Sequence, residues 1–345
     1  MTEIVHVDFS PVWRGGQQQL WLLASELRRG GCAQTIVAPE GETARRFAGE
    51  GFRVIAPGGE ARRIARAAGI VHAHDGHAHS WMLRVAFRCP VRTVLSRRVA
   101  FPIRSPVSRW KYRRLDLVIA VSHYVAAQVL ATGLPAARVA VIPDGIALAA
   151  LPDPDAARSE VRARCGLGND VPCLVCLGAL TAEKGVGDAI AAMASLPGAC
   201  HLWLTGAGPL QPALLRQAEA LACAARVHFV STSGFTAAQW VAAADLLLMP
   251  SRGEGFGSAA LLAMALGKPV VACRTGGIPE LIEHEITGLL APVASPLALA
   301  AAARRLLEDA ALSARVSAMA HARVEQRYTA AGMADATLAA YAHSS

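Results

Sequence analysis

The chain has 345 residues, 53% of them apolar and 17% charged, which excludes wholesale disorder and exceeds what one ordinary core needs. Lys and Arg outnumber Asp and Glu by 34 to 26, a net charge of +8, so anionic partners are favoured over cationic ones. No apolar run reaches about 18 residues without a charge, so a membrane-spanning helix is not expected.

Short apolar runs alternate with helix-period segments along the whole chain. Strands are predicted at IVHVDF, QTIVA, RVIA, IVHAH, RTVLS, LVIAVS and VAVIP in the first half. CLVCLG, HLWLTG, VHFV, LLLMP, PVVAC and TGLLA follow in the second. Strands separated by helices imply parallel sheets covered on both faces. About thirteen strands are too many for one open sheet, so two doubly wound Rossmann-like halves are expected. The boundary falls near LPDPDAARSEVRARCGLGNDVP, where Pro152, Pro154, Gly168 and Pro172 flank a short charged helix. Domains are therefore expected over residues 1–150 and 151–325, with a terminal helix in 326–345.

Eight cysteines show no disulfide-framework spacing. Cys173 and Cys176 form a C-x-x-C, but inside an apolar strand, so they read as reduced core residues and the chain as cytoplasmic. The N-terminus carries Glu3 and Asp8 in a strand pattern and does not read as a signal peptide.

Residues 249–272, MPSRGEGFGSAALLAMALGKPVVA, carry the most chemistry. A strand ends at Pro250-Ser251. A loop with Glu254, Gly255, Phe256, Gly257 and Ser258 then leads into a helix. Backbone N–H groups at such a loop suit an anion, and a carboxylate beside them suits hydroxyl groups. A phosphorylated sugar satisfies both. Lys184, in T-A-E-K-G after another strand, can neutralise a diphosphate. Gly15 and Gly16, Gly178, and Gly206 and Gly208 also follow strands, where open α/β sheets bind ligands. Each loop alone also reads as an ordinary βα turn, Glu254 as a helix cap and Lys184 as an exposed helix-start lysine.

The loop, together with RGGQQQL, VIAVSHYVAAQVL, VIPDGI, LGALTAEKG, LTGAGPL, VHFVSTSGF and GGIPELIE in that order, resembles the retaining GT-B glycosyltransferases of family 4. The resemblance runs over roughly residues 3 to 310. It implies the GT-B fold, in which two Rossmann-like domains face across a cleft. It also implies sugar transfer from a nucleotide diphosphate donor, a UDP-sugar being favoured, with no cofactor and no catalytic metal. By the resemblance, Lys184 and Glu254 are the catalytic candidates. Gly15, Gly16, Gly178, Gly206, Gly208, Gly255, Phe256, Gly257 and Ser258 join them around the donor. His74, Asp75, His77, Arg97, Arg98 and His123 are candidates on the acceptor side. The terminal helix is expected to cross back to the first domain. Two positions depart from the family pattern. Ala179 stands where an Arg usually follows the loop glycine, and Leu262 where a second Glu usually stands. Arg252, Arg97 and Arg98 are candidates to supply the missing cation.

His72, His74, His77 and His79 with Asp75 invite a metal reading, but H-A-H-D-G-H-A-H matches no specific zinc spacing. Residues 255–260 satisfy G-x-G-x-x-A with Glu280 downstream, formally a dinucleotide fingerprint, but the preceding loop is too long for its tight turn. From Gly76 to Leu115 there is no acidic residue and ten basic ones, with Trp110, Tyr112 and several prolines interleaved. This segment suits an anionic lipid interface at the inner face of a membrane, and SRRVAFPIRSPVSRWKYRR resembles lipopolysaccharide-type glycosyltransferases. The alternatives are a site for an anionic acceptor such as a phosphorylated glycan and a solvated basic face; nucleic acid is less favoured, because no nucleic-acid module accompanies the charge. For the chain as a whole, the reading is transfer to a glycan or lipid-linked acceptor in envelope synthesis. The alternatives are a catalytically weakened binding protein and, on the fingerprint alone, a nicotinamide oxidoreductase.

Overall fold

The structure, a computed structural model, describes residues 3–230 and 234–342, so positions 231–233 of the VHFVSTSGF motif lie outside the described residues. All thirteen predicted strands form. They are β1 (Ile4–Val7), β2 (Gln34–Val37), β3 (Val54–Ile55), β4 (Ile70–Ala73), β5 (Arg92–Arg97), β6 (Leu117–Ala120) and β7 (Val139–Val141), then β8 (Cys173–Leu177), β9 (His201–Thr205), β10 (Val227–Val230), β11 (Leu246–Met249), β12 (Val270–Cys273) and β13 (Leu289–Ala291). The chain divides into two compact units, Met1–Gly145 with Tyr328–Ser345, and Ile146–Arg327.

The first unit is built on a seven-stranded parallel sheet in the order β3-β2-β1-β4-β5-β6-β7. Strands such as IVHV and LVIA are buried at every position because helices cover both faces. The terminal helix Ala330–Ala342 belongs to this unit and packs on the helix Gly15–Arg29. Tyr341 bonds His72 at 2.6 Å, and Arg92 donates to the Ala340 carbonyl at 3.0 Å. The entry to this helix needs Gly145, because a Cβ there would lie 2.7 Å from the Thr329 carbonyl oxygen.

The second unit has six parallel strands in the order β10-β9-β8-β11-β12-β13. One face of the sheet packs into a core of Leu, Ile, Val, Met, Ala and Cys, with Leu174, Cys176, Leu202, Leu204, Leu246 and Leu248 in register on it. Cys173 and Cys176 are buried, and burial pushes both thiols above their ordinary pKa, which makes them poor nucleophiles. The charged helix near the boundary, Pro154–Arg164, carries a buried strut. Arg162 is 1% exposed and donates to the carbonyls of Ala243, Gly168 and Val171 and to Asp245.

Strand order reverses between β1 and β4 in the first unit and between β8 and β11 in the second. Such switch points open a crevice at the carboxyl ends of the strands, where ligands of doubly wound folds bind.

Candidate functional site

In the second unit, the loops after β8 and β11 meet at the switch point. Lys184 ends the single turn Ala182–Lys184, and its Nζ lies 2.5 Å from Glu254 Oε1. Ser251 Oγ donates to the same oxygen at 2.8 Å. Backbone bonds lock the loops together, with Arg252 N donating to Glu183 O at 2.8 Å and Gly277 N to Glu254 O at 3.0 Å. Two glycines allow this approach. Gly185 has φ +62°, and a Cβ there would overlap the Pro250 carbonyl oxygen; Gly276 has φ +54°, and a Cβ there would overlap that of Glu254.

The donor-side candidates of the second unit lie on the loops that meet here. Gly206 and Gly208 follow β9 and press on the β8 loop, since Cβ atoms there would collide with the carbonyl oxygens of Gly178 and Leu180. Their role in the fold is to let two loops touch, since neither has a Cβ to keep them apart. Phe256 is buried and offers only backbone. Gly257, at φ +112°, turns the chain into the helix Ser258–Ala265. Eight residues separate β11 from that helix, unlike the tight turn of a dinucleotide fingerprint. Ala179 and Leu262 are half-buried and bring no polar group to the site. Arg252 is the nearby cation in sequence, but Asp188 holds its guanidinium at 3.1 Å. Ser251 and Asp188 escaped the sequence reading, because serines after strands and acids in a helix's first turn are common and their partners are remote in sequence.

Gly15 and Gly16 lie in the first unit. They open the helix Gly15–Arg29, separated from β1 by residues 8–14 rather than following it directly. A Cβ at Gly16 would meet nothing within 4 Å. Asp75 caps the helix Gly76–Val85, accepting from His77 N at 2.7 Å and Ala78 N at 2.9 Å, and also accepts from Phe9 N. His77 and His123 are exposed at the starts of their helices. His79 instead turns inward against the Tyr112 ring.

The histidines at the first unit's switch point form a directed chain. Gln34 Nε2 donates to the Ala24 carbonyl at 3.0 Å, so its Oε1 accepts from His6 Nε2 at 3.1 Å. His6 Nδ1 then accepts from His74 Nε2 at 3.0 Å, and His74 Nδ1 accepts from Arg98 at 3.4 Å. Arg98 Nε pairs with Asp144 at 3.0 Å. This order of donors requires neutral rings. Burial enforces that state, holding His6 down at about 4 and lowering His72 and His74 well below their usual value. His6, His72 and His74 offer nitrogens within 4.8 Å of one another. Yet every ring nitrogen has a hydrogen-bond partner, a guanidinium adjoins the cluster, and the His72 and His74 ring centroids lie 4.1 Å apart. Two imidazoles converging on one ion would keep their centroids about 5 Å apart. The arrangement favours a neutral hydrogen-bonded relay over a metal centre.

The ten cations of residues 84–114 do not form one arm. Arg92 bonds Ala340, Arg97 bonds Tyr112 and the Phe101 carbonyl, and Arg98 pairs with Asp144. Arg97 and Arg98 are therefore held within their own unit. Arg84, Arg88, Arg104, Arg109, Arg113 and Arg114 are exposed.

Comparison with known proteins gives this architecture a family. The model for Glycosyltransferase Family 4 matches residues 13–150, and that for Glycosyl transferases group 1 matches residues 171–309. One lies on each unit, and the chain belongs to the family 4 glycosyltransferases. Anabaena HepE, solved with UDP and glucose, superposes with a TM-score of 0.89 at 22% identity, covering 98% of this chain and 99% of that one. The fold is GT-B. The D-inositol 3-phosphate glycosyltransferase of Xylanimonas cellulosilytica is 33% identical over 54% of this chain and 46% of its own length. The GDP-mannose-dependent alpha-(1-6)-phosphatidylinositol monomannoside mannosyltransferase of Mycolicibacterium smegmatis is 36% identical over 59% and 57%. The chain thus spans about half the length of these curated relatives. No helix among the described residues is long and apolar enough to cross a membrane.

Proposed function

We propose that the protein is a retaining glycosyltransferase that moves a sugar from a nucleotide diphosphate donor to a glycan or lipid-linked acceptor, without a catalytic metal. The observation that carries this reading is the Lys184–Glu254 pair, enclosed by loops at the switch point of the second unit. Lys184 already meets an anionic oxygen, that of Glu254, which is the charge a diphosphate oxygen would offer it. A bound diphosphate would draw the ammonium away and leave the Glu254 carboxylate to accept from a sugar hydroxyl. Transfer breaks the bond from the anomeric carbon to the diphosphate oxygen and forms one to the acceptor oxygen on the same face. The acceptor proton goes to the departing diphosphate, whose charge Lys184 and the backbone N–H groups of the Glu254–Ser258 loop offset. No protein nucleophile is required.

The first unit is assigned the acceptor. His77, His123 and the Arg98–His74 relay mark its switch-point side, and the exposed cations of residues 84–114 suit an anionic membrane surface. An envelope role is consistent with a relative whose name specifies a phosphatidylinositol mannoside. UDP is the favoured nucleotide, supported by the UDP held by Anabaena HepE, while that relative's name specifies GDP-mannose.

A panel of UDP-, GDP- and ADP-sugars, assayed for donor hydrolysis and for transfer, tests the reading. Turnover of one donor supports it. Tight binding with no turnover would instead favour a nucleotide- or glycan-binding protein that has lost activity with the polar groups missing at Ala179 and Leu262.

A further inference from the structure

The helices Gly76–Val85 and Pro106–Arg113 leave a groove of about 400 Å³ between them, lined by Ser80, Leu83, Arg84, Phe87, Trp110 and Lys111. This volume lies in the range of small-molecule sites, about 300–1,000 Å³. Its character is mixed in a specific way. Leu83 packs on the core and forms an apolar floor, while Phe87 and Trp110 stay 63% and 48% exposed. Both rings carry a cation, with Arg88 5.1 Å from the Phe87 centroid and Arg114 4.6 Å from that of Trp110. Lys111 is tethered to Ser80 at 3.0 Å. Arg88 is held at φ +61°, a conformation uncommon for a residue with a side chain.

These features select an occupant. A soluble anion would satisfy the cations and leave the aromatic rings in water. A second copy of the chain would set like charges against like. An amphiphile with a negative head and a hydrocarbon tail satisfies both parts, since aromatic and long basic side chains settle where apolar and polar layers meet. We infer that this groove binds one acyl chain of an anionic membrane lipid, with Arg84, Arg88, Lys111 and Arg114 around its headgroup. The inference rests on the membrane-facing reading of the first unit and deepens it from a charged surface to a lipid site.

The test uses the full chain and vesicles of phosphatidylglycerol and phosphatidylcholine in equal parts, with pure phosphatidylcholine as reference. Two variants act on the groove without changing charge: Leu83→Trp fills it, and Phe87→Ser removes an exposed wall. Each is expected to lower retention on anionic vesicles about tenfold, because less apolar surface leaves water when the acyl chain docks. Phosphatidylglycerol brominated on its acyl chains should quench Trp110 fluorescence, read as the difference between the wild type and Trp110→Phe. Leu83→Trp touches core residues; Phe87→Ser does not depend on their repacking and keeps the test decisive if the first variant misfolds. Undiminished retention of both folded variants on anionic vesicles would overturn the groove and leave a purely electrostatic surface. A wild type that binds neither vesicle would overturn the groove and the membrane-facing reading together. Thermal stabilisation by nucleotide, measured in parallel, reports on the donor site alone.

Discussion

Lys184 and Glu254 neutralise one another across 2.5 Å, so each is a switch on the other's availability. Removing the cation by Lys184→Ala is expected to lower kcat by about a hundredfold or more, because the leaving diphosphate loses its charge partner. Unchanged kcat and KM in steady-state assays would exclude that role. Glu254→Gln should act in opposite senses on two readouts. It releases Lys184, so UDP should bind more tightly by calorimetry, while sugar transfer falls about tenfold with the missing acceptor charge. The buried histidines give a pH dependence. His6 and His79 are both held down at about 4, against an ordinary 6.5, first by desolvation and, at His79, next by Lys111. The unfolded chain binds these protons more readily than the folded one between those values. Stability is therefore complete above about pH 6.5 and falls as pH drops toward 4. Each histidine contributes roughly 1.4 kcal/mol for every tenfold difference in proton affinity between the folded and unfolded chain. Urea midpoints measured from pH 7.5 to 4.5 should decline, and His6→Gln should flatten the decline.

At the scale of elements, the donor site is a product of close backbone approach. Gly185 and Gly276 sit at positive φ, with carbonyl oxygens of Pro250 and Glu254 where a Cβ would go. Gly276→Ala is expected to cost about 1–3 kcal/mol from backbone strain alone, with more from the clash, and to displace Glu254. A lowered Tm together with weakened nucleotide affinity would support this; a variant with wild-type Tm would show that the loop relaxes freely. The terminal helix matters to the first unit in the same way. Tyr341→Phe leaves buried His72 Nδ1 without its partner, and thermal unfolding should report about 1–3 kcal/mol of reduced stability.

At the scale of the molecule, a ligand of the folded state alone should stabilise it. Saturation with UDP or GDP at a hundredfold excess over Kd corresponds to about 2.7 kcal/mol, an upward displacement visible in a thermal melt. Silence toward both nucleotides and their sugars at millimolar concentration would count against the donor site as a whole. EDTA is expected to leave transfer activity intact; loss restored by added zinc would return the histidine cluster to a metal role.

Fold class was legible because short continuous apolar runs, the mark of strands covered on both faces, alternate with helix-period segments, and every predicted strand formed. The clustering of glycine, Lys184 and Glu254 after strands was legible for a related reason, since parallel sheets display ligand loops at one end. The apolar run around Cys173 and Cys176 likewise marked that pair as core residues. Other properties depend on contacts between residues remote in sequence, which no local pattern records. Ser251 and Asp188 are ordinary residues until a fold sets them beside Glu254 and Arg252. The charge run from Gly76 to Leu115 read as one basic surface, but folding turned Arg92, Arg97 and Arg98 toward partners in their own unit. The histidine run falls on a strand and the helix after it, as its pattern indicates, but His6 joined His72 and His74 from β1, which no local pattern records. Sequence by itself determined which chemical groups this protein carries and in what periodic setting. Tertiary structure decided which of them are desolvated, paired or left to a ligand, because burial and Coulomb energy depend on distance in space rather than along the chain.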